Sequence, residues 1–230
     1  MSLILHIETA TDVCSVCLSN KYELISHLNS SESFVHTRQA TLMIQKLFDQ
    51  SDFSIYDLNA VSISKGPGSY TGLRVGTSIA KGMCFGLDIP LIAVKTLKSI
   101  ASAAISEESD NSHCAYIPMI DARRMEVYHS VYAYSLQELL ADEPKILDDS
   151  SFQELVPKYE KIIFCGNGAD KFMELVSHPQ FVFRKVICDA RHLLPLAYKK
   201  YQNGEFERLS TFVPNYIKPA NVTKSKKKLI

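Results

Sequence analysis

The sequence lacks two features that would place it in a specialised class of protein. Its 230 residues contain as many basic as acidic side chains, so the formal net charge is zero, and the overall positive field typical of dedicated nucleic-acid binders is missing. No apolar run reaches the ~18 residues that a membrane-spanning helix needs. The N-terminus has no basic segment, and its apolar run ends at His6 and Glu8, so we expect no signal peptide and no membrane association.

The cysteines also lack a recognisable pattern. There are six of them, and their spacing matches no disulfide framework, which favours a reducing, cytoplasmic location. Cys14 and Cys17 form an isolated Cys-x-x-Cys, but in an alternating segment the two side chains point to opposite faces of a strand. We interpret this pair as core packing.

A glycine-rich turn over residues 64–74 is the most informative local pattern. A short apolar run, residues 60–63, precedes it and reads as a buried strand. A helix over residues 71–86 follows, with Ser69 or Thr71 as its N-cap. The order strand, glycine turn and helix allows two interpretations: close packing of backbone on backbone, or anion binding at the helix N-terminus.

The glycines of this helix favour close packing, but they do not fix what packs there. Gly72, Gly76 and Ala80 are spaced by four residues and form one bare stripe. Anion binding through a standard motif is not supported. Leu73 and Arg74 stand where a Walker loop needs Lys and Ser or Thr, and Thr71 stands where a dinucleotide-binding turn needs glycine.

The order of the remaining predicted elements indicates an internal duplication. Three strands open the chain and are followed by a helix over 33–50, the strand, glycine turn and helix described above, a strand over 90–94 and a helix over 96–106. After a polar linker the pattern starts again, with an acid ending the first strand of each copy. The predicted elements of the second copy are strands at 115–120, 126–133, 161–165 and 181–187 and helices at 169–176 and 190–202.

We therefore predict an α/β fold with two lobes, each of the order βββαβαβα. The N-terminal lobe spans residues 1–108 and the C-terminal lobe spans 109–222. A basic tail follows at 223–230, which we expect to be disordered and solvated, with contact to tRNA as the alternative.

Four segments carry a resemblance to a known family. They are ILHIETATDVCSVCLS at 4–19, SKGPGSYTGLRVGTSIAKGM at 64–83, IPLIAVKTL at 89–97 and DARRMEVY at 121–128. The duplicated unit resembles the actin-like ATPase superfamily, which has a ribonuclease H-like fold. Within it, these segments resemble the TsaB (YeaZ) family, which acts in threonylcarbamoyladenosine modification of tRNA and carries an older glycoprotease label.

The resemblance implies a partner subunit and not an enzyme. Members of that family pair through their first two helices with TsaD, which transfers the threonylcarbamoyl group, and TsaE joins the pair. The resemblance implies a homodimer when the chain is alone, indirect contact with tRNA, and no cofactor. Carried onto this sequence, the interface comprises Phe34, His36, Leu42, Met43, Leu47, Gly72, Val75, Gly76, Ile79 and Met83.

The sequence contains only part of the residue sets that related proteins use to bind a metal ion or a nucleotide. TsaD-like proteins place a His-x-x-x-His pair on the first helix, but here Ala40 follows His36 by four residues, so we expect no metal site. Actin-like ATPases have glycine where Ala10 stands. A remnant of a phosphate site would comprise Glu8, Thr11, Gly66, Gly68 and Arg74. An autonomous nucleotide-dependent phosphotransferase is therefore the alternative function. Ser69 lacks the flanking glycines of a Gly-x-Ser-x-Gly nucleophile, so we do not expect a protease.

Overall fold

The computed structural model describes residues 2–30, 36–108 and 113–218, and within the first helix it describes side chains from residue 39 onward. The predictions made for Phe34, for the His36 side chain and for the basic tail lie outside the described residues. Within those ranges the chain forms two five-stranded sheets. No helix there is both long enough and apolar enough to cross a membrane.

The first sheet is built from the N-terminal strands in the order β3-β2-β1-β4-β5. The first three strands are antiparallel, and β4 and β5 run parallel to β1. β1 is buried along its whole length, including His6 and Glu8, as expected for a central strand that is covered on both faces. The strands are β1 (Leu3–Glu8), β2 (Cys14–Asn20), β3 (Glu23–Ser30), β4 (Ala60–Ser64) and β5 (Leu91–Val94).

The second sheet repeats this topology. Its order, β8-β7-β6-β9-β10, matches that of the first sheet strand for strand, so the predicted two-lobed, duplicated α/β fold of the actin-like type is confirmed. The strands are β6 (Cys114–Asp121), β7 (Glu126–Ala133), β8 (Glu138–Ile146), β9 (Lys161–Cys165) and β10 (Phe181–Arg184). The sequence analysis missed β8, an edge strand that is half-exposed, contains Pro144 and carries four charged side chains.

The helices show where the second copy departs from the first. A single 3-10 turn at Gln153–Leu155 stands where the pattern calls for a counterpart of α1, and α4 is one short turn. The first lobe keeps two long helices, α1 and α2, packed over one face of its sheet. The helices are α1 (His36–Asp49), α2 (Tyr70–Leu87), α3 (Thr96–Ser106), α4 (Ala169–Met173) and α5 (Leu194–Gln202).

The two lobes exchange their last helices. α3 follows the first sheet in sequence but packs on the second, where Leu97 and Ile100 meet Tyr116 and Ile163. α5 follows the second sheet but packs on the first, where Ala197 and Tyr198 join a cluster with the β1, β4 and β5 side chains Ile4, Ala60, Ile92 and Val94. The predicted helix at 190–202 therefore closes the second copy in sequence, as a 3-10 turn at Ala190–Leu193 and α5, but it covers the sheet of the first lobe. A division at residue 108 separates the strands of the two sheets but not the helices that cover them.

Candidate partner interface and inter-lobe cleft

The helix α2 begins as its sequence predicts. Ser69 is the N-cap, and its hydroxyl accepts a hydrogen bond from the Gly72 N–H at 3.3 Å. The Ser69 N–H donates to the Ala10 carbonyl at 2.7 Å. These bonds hold the first turn of α2 against the segment that joins β1 to β2.

The glycine stripe of α2 packs on this same segment. A Cβ atom added at Gly72 would lie 2.0 Å from the Thr9 carbonyl oxygen, and one added at Gly76 would lie 2.4 Å from the Thr9 hydroxyl. That hydroxyl donates to the Gly72 carbonyl at 2.8 Å. Gly72 and Gly76 are buried here, so predicting them as partner-interface residues was wrong. Leu47 of α1 is also wrong as an interface residue, because it is fully buried in the core of the first lobe.

The opposite side of α2 is open. Among the predicted interface residues, Leu42 of α1 is 58% exposed. Met43, Val75, Ile79 and Met83 are half-buried. Gly82 and Gly86 are exposed in the last turns of α2, with no atom within 4 Å of an added Cβ. We call the surface formed by Val75, Ile79, Gly82, Phe85 and Gly86 of α2 the outer helix face.

Phe85 belongs to the outer helix face, and the sequence analysis missed it. It is 84% exposed, more than any other large apolar side chain in the described part of the chain. Its position was readable from the sequence, because Phe85 follows Arg74, Ser78 and Lys81 at helical spacing. Aromatic side chains are enriched at protein–protein interfaces relative to the rest of a protein surface.

Glu8 does not lie in a ligand site. Its carboxylate is fully buried, and it accepts hydrogen bonds from the Ala10 N–H at 2.7 Å and from the Ser64 hydroxyl. Burial raises the pKa of Glu8, and these hydrogen bonds oppose that effect. Glu8 therefore ties the β1–β2 turn to the end of β4, and its prediction as a phosphate ligand was wrong.

The remaining predicted phosphate residues divide into two groups. Thr11 and Gly68 line a cleft of about 530 Å³ between the lobes. Gly66 and Arg74 do not: an added Cβ at Gly66 would meet the Asn215 carbonyl at 2.5 Å, and the Arg74 guanidinium lies 4.3 Å from the centre of the Tyr70 ring. The structure thus gathers two of the five predicted residues at one site.

The cleft shows how the two copies correspond. The Ala10 carbonyl of the first lobe and the Met119 carbonyl of the second both accept an N–H from their lobe's glycine turn, at 2.7 and 3.1 Å. As predicted, an acid ends the first strand of each sheet, Glu8 at the end of β1 and Asp121 at the end of β6. Asp121 accepts a hydrogen bond from the Lys171 ammonium at 2.5 Å.

The side chains that could bind metal or form disulfides are dispersed. Within the described ranges, no three His, Cys, Asp or Glu side chains are arranged to hold a metal ion. All six cysteines are reduced and buried, and burial raises the pKa of the Cys14 and Cys84 thiols to about 11.

Similarity to known proteins covers nearly the whole chain. The family model "TsaD: tRNA N6-adenosine threonylcarbamoyltransferase" matches residues 31–222. The chain is 29% identical to the tRNA threonylcarbamoyladenosine biosynthesis protein TsaB of Escherichia coli (strain K12), with 94% of each chain covered. It is 36% identical to the protein of the same name from Buchnera aphidicola subsp. Schizaphis graminum, with 91% of this chain and 99% of that one covered.

A solved structure agrees with this assignment at the level of the fold. YeaZ from Pseudomonas aeruginosa superimposes with a TM-score of 0.76 at 24% identity, covering 94% of this chain and all of that one. This likeness supports the two-lobed topology, while the sequence relatives and the family model carry the family assignment. The chain belongs to the TsaB (YeaZ) family, whose members are tRNA threonylcarbamoyladenosine biosynthesis proteins.

Proposed function

We propose that the chain is a non-catalytic subunit that binds TsaD and, through that pair, TsaE. In this role it supports threonylcarbamoyl transfer to the adenosine next to the tRNA anticodon, in the cytoplasm, and its contact with tRNA is indirect. The observation that carries the proposal is the outer helix face. Phe85 is exposed there, and Gly82 and Gly86 leave room for another helix.

The physical argument is one of burial. Side chains such as Phe85 gain about 25 cal/mol for each Å² of apolar surface removed from water, so a partner that covers them is favoured. Glycines on an exposed helix face cost roughly 1 kcal/mol each relative to alanine, and close approach of a second backbone offsets that cost. A chain without TsaD can cover the same surface with a second copy of itself, and we therefore propose a homodimer in isolation.

The chemistry of the cleft favours a scaffold over an enzyme. A phosphotransferase of this fold would use Glu8, Thr11 and the glycine turn together, but Glu8 is committed to the Ala10 N–H and the Ser64 hydroxyl inside the first lobe. The Ser69 hydroxyl, the nucleophile of a hypothetical protease, accepts the Gly72 N–H. Both residues therefore have structural roles that account for their presence.

The test is association with TsaD from the same cell. We would mix the two proteins and follow them by size-exclusion chromatography with light scattering, comparing the wild type with Gly82→Glu. The expected result is a one-to-one heteromer for the wild type and separate species for the variant. Gly82→Glu suits this test better than Ile79→Glu, because Ile79 packs partly against the core of the lobe.

Gly82→Ala is the matched control, since it adds one methyl group at the same open position without a charge. Circular dichroism must show that both variants keep the wild-type fold. A Gly82→Glu protein that still elutes with TsaD would place the interface elsewhere. Tight binding of ATP and turnover by the isolated wild-type chain would favour the phosphotransferase instead.

A further inference from the structure

An ionic cluster joins the two lobes at a distance from the outer helix face. Lys95 is the last residue before α3, where the chain passes from the first sheet to the second. Its ammonium donates to both carboxylate oxygens of Glu138, at 2.7 and 2.8 Å. Glu138 begins β8, the edge strand of the second sheet. This contact therefore connects the end of β5 in one lobe to the rim of the other.

A second carboxylate stands beside the first. Asp142 of β8 lies 3.8 Å from the Lys95 ammonium, and its side chain is only 4% exposed. Neither of its oxygens has a hydrogen-bond partner among the described residues, and the same holds for the buried hydroxyls of Ser130 and Tyr132 on the neighbouring strand. A buried carboxylate without hydrogen bonds is costly, so its position needs an explanation.

The strand β8 brings both carboxylates to the same lysine. Its pairing with β7 shifts register twice over this stretch, between His129 and Val131 and between Val131 and Tyr132, and such irregularities bend a strand locally. Glu138 and Asp142, four residues apart, lie 2.7 and 3.8 Å from the Lys95 ammonium. The strand therefore presents two carboxylates to one lysine at the end of β5.

We propose that Lys95, Glu138 and Asp142 form a redundant electrostatic lock that fixes the angle between the lobes and hence the width of the cleft. Glu138 holds the lysine in the state described here. Asp142 is the reserve partner, which holds the ammonium when Glu138 is neutralised or drawn away. The proposal does not rest on binding to TsaD, because the cluster lies within one chain.

The experiment measures the distance between the lobes by double electron–electron resonance. Spin labels are attached after Tyr56→Cys in the first lobe and Ile146→Cys in the second, at positions that are 82% and 72% exposed. The native cysteines are all buried, so labelling under native conditions is selective. The full-length labelled chain is diluted with an excess of the unlabelled chain, so that distances between the protomers of a homodimer do not contribute. The labelled parent is compared with Glu138→Gln, Asp142→Asn, the double variant and Lys95→Met.

The lock predicts a non-additive result. Each single carboxylate variant keeps a narrow distance distribution, whereas the double variant and Lys95→Met both give one that is about twofold broader. The control is Glu205→Gln, which removes a carboxylate from a surface pair with Lys200 at 3.1 Å within one lobe, and it should match the parent. A parent-like double variant, or Glu138→Gln alone as broad as the double variant, would overturn the proposal.

Salt gives a second readout on the same samples. The Lys95 and Glu138 side chains are each 29% exposed, so the pair is open to screening as the Debye length falls from roughly 10 Å at 0.1 M to about 3 Å at 1 M. The Asp142 side chain is only 4% exposed and buried pairs are screened much less, so the parent should keep its narrow distribution over this range. Asp142→Asn relies on the exposed pair alone and should broaden. An Asp142→Asn distribution that is insensitive to salt would contradict an electrostatic lock.

Discussion

Gly72 and Gly76, the inner pair, lie near the start of α2, Gly82 and Gly86, the outer pair, lie near its end, and each pair is spaced by four residues. An added Cβ at either inner glycine would collide with Thr9, at 2.0 Å from its carbonyl oxygen or 2.4 Å from its hydroxyl. An added Cβ at either outer glycine would meet no atom within 4 Å. The inner pair is thus explained by the chain itself, while the outer pair is not.

A helical glycine can be required by close packing within the chain or by close packing against a partner, and the two causes look alike in a sequence. Glycine in a helix costs roughly 1 kcal/mol relative to alanine. For the inner pair, the close approach of the β1–β2 turn and the hydrogen bond from Thr9 to the Gly72 carbonyl offset this cost. For the outer pair, the offset must come from outside the described chain, which is the argument for a partner helix. Four predictions test this distinction.

The largest effect is expected for Gly72→Ala. The new methyl group would stand 2.0 Å from a backbone oxygen, and neither the helix nor the turn can move without breaking the bonds that join them. We expect a loss of at least about 3 kcal/mol in the free energy of unfolding, measured by urea titration. A stable, wild-type-like Gly72→Ala protein would show that the turn does not pack as described.

A smaller loss is expected for Gly76→Ala, because the obstructing atom belongs to a side chain. The Thr9 hydroxyl is the near atom, and the next Thr9 atoms are 3.6 Å away. We expect Gly76→Ala to cost about 1–3 kcal/mol and to cost less in a Thr9→Ala background. A double-mutant cycle measures this coupling, which should be favourable by about 1 kcal/mol. Strict additivity would mean that the two residues do not touch.

For the outer side, Phe85→Ala should weaken association and leave the monomer intact. An aromatic side chain at a protein interface contributes on the order of 2 kcal/mol, so we expect a roughly thirtyfold weaker complex with TsaD by isothermal titration calorimetry. Because Phe85 is 84% exposed, the free energy of unfolding should change by less than about 0.5 kcal/mol. Tyr56→Ala, at a similarly exposed aromatic outside the outer helix face, is the control and should bind normally.

The fold was largely readable from the sequence, because hydrophobic periodicity and turn residues mark strands and helices locally. The duplication, the order of the first lobe and the N-cap at Ser69 followed from such patterns. The edge strand β8 did not, since its charges and Pro144 are what an exposed edge requires. Nor did the exchange of α3 and α5 between the lobes, because both helices are apolar and the sequence does not say which sheet each one covers.

The candidate site was less predictable, because it depends on the direction in which each side chain points and not only on its residue type. Glu8 has the chemistry of a phosphate or magnesium ligand, yet its carboxylate turns inward to the Ala10 N–H. Leu42 and Leu47 lie five residues apart on different faces of α1, and one is 58% exposed while the other is buried. Helical spacing shows which residues share a face of a helix, but it does not fix exactly how the helix is rotated on its sheet. A rotation by one residue position is enough to move a side chain from the core to the surface.

The smallest effect, and the one with the opposite sign, is expected for Gly82→Ala. Nothing lies within 4 Å of the added methyl group, and alanine is the better helix former, so the isolated monomer should gain up to about 1 kcal/mol in its free energy of unfolding. A larger side chain at this position would keep a partner helix from approaching α2 closely. Gly82→Leu should therefore weaken binding to TsaD while keeping the monomer at least as stable. A loss of monomer stability in Gly82→Ala would mean that this side of α2 is already covered within the chain, and the distinction between the two glycine pairs would fail.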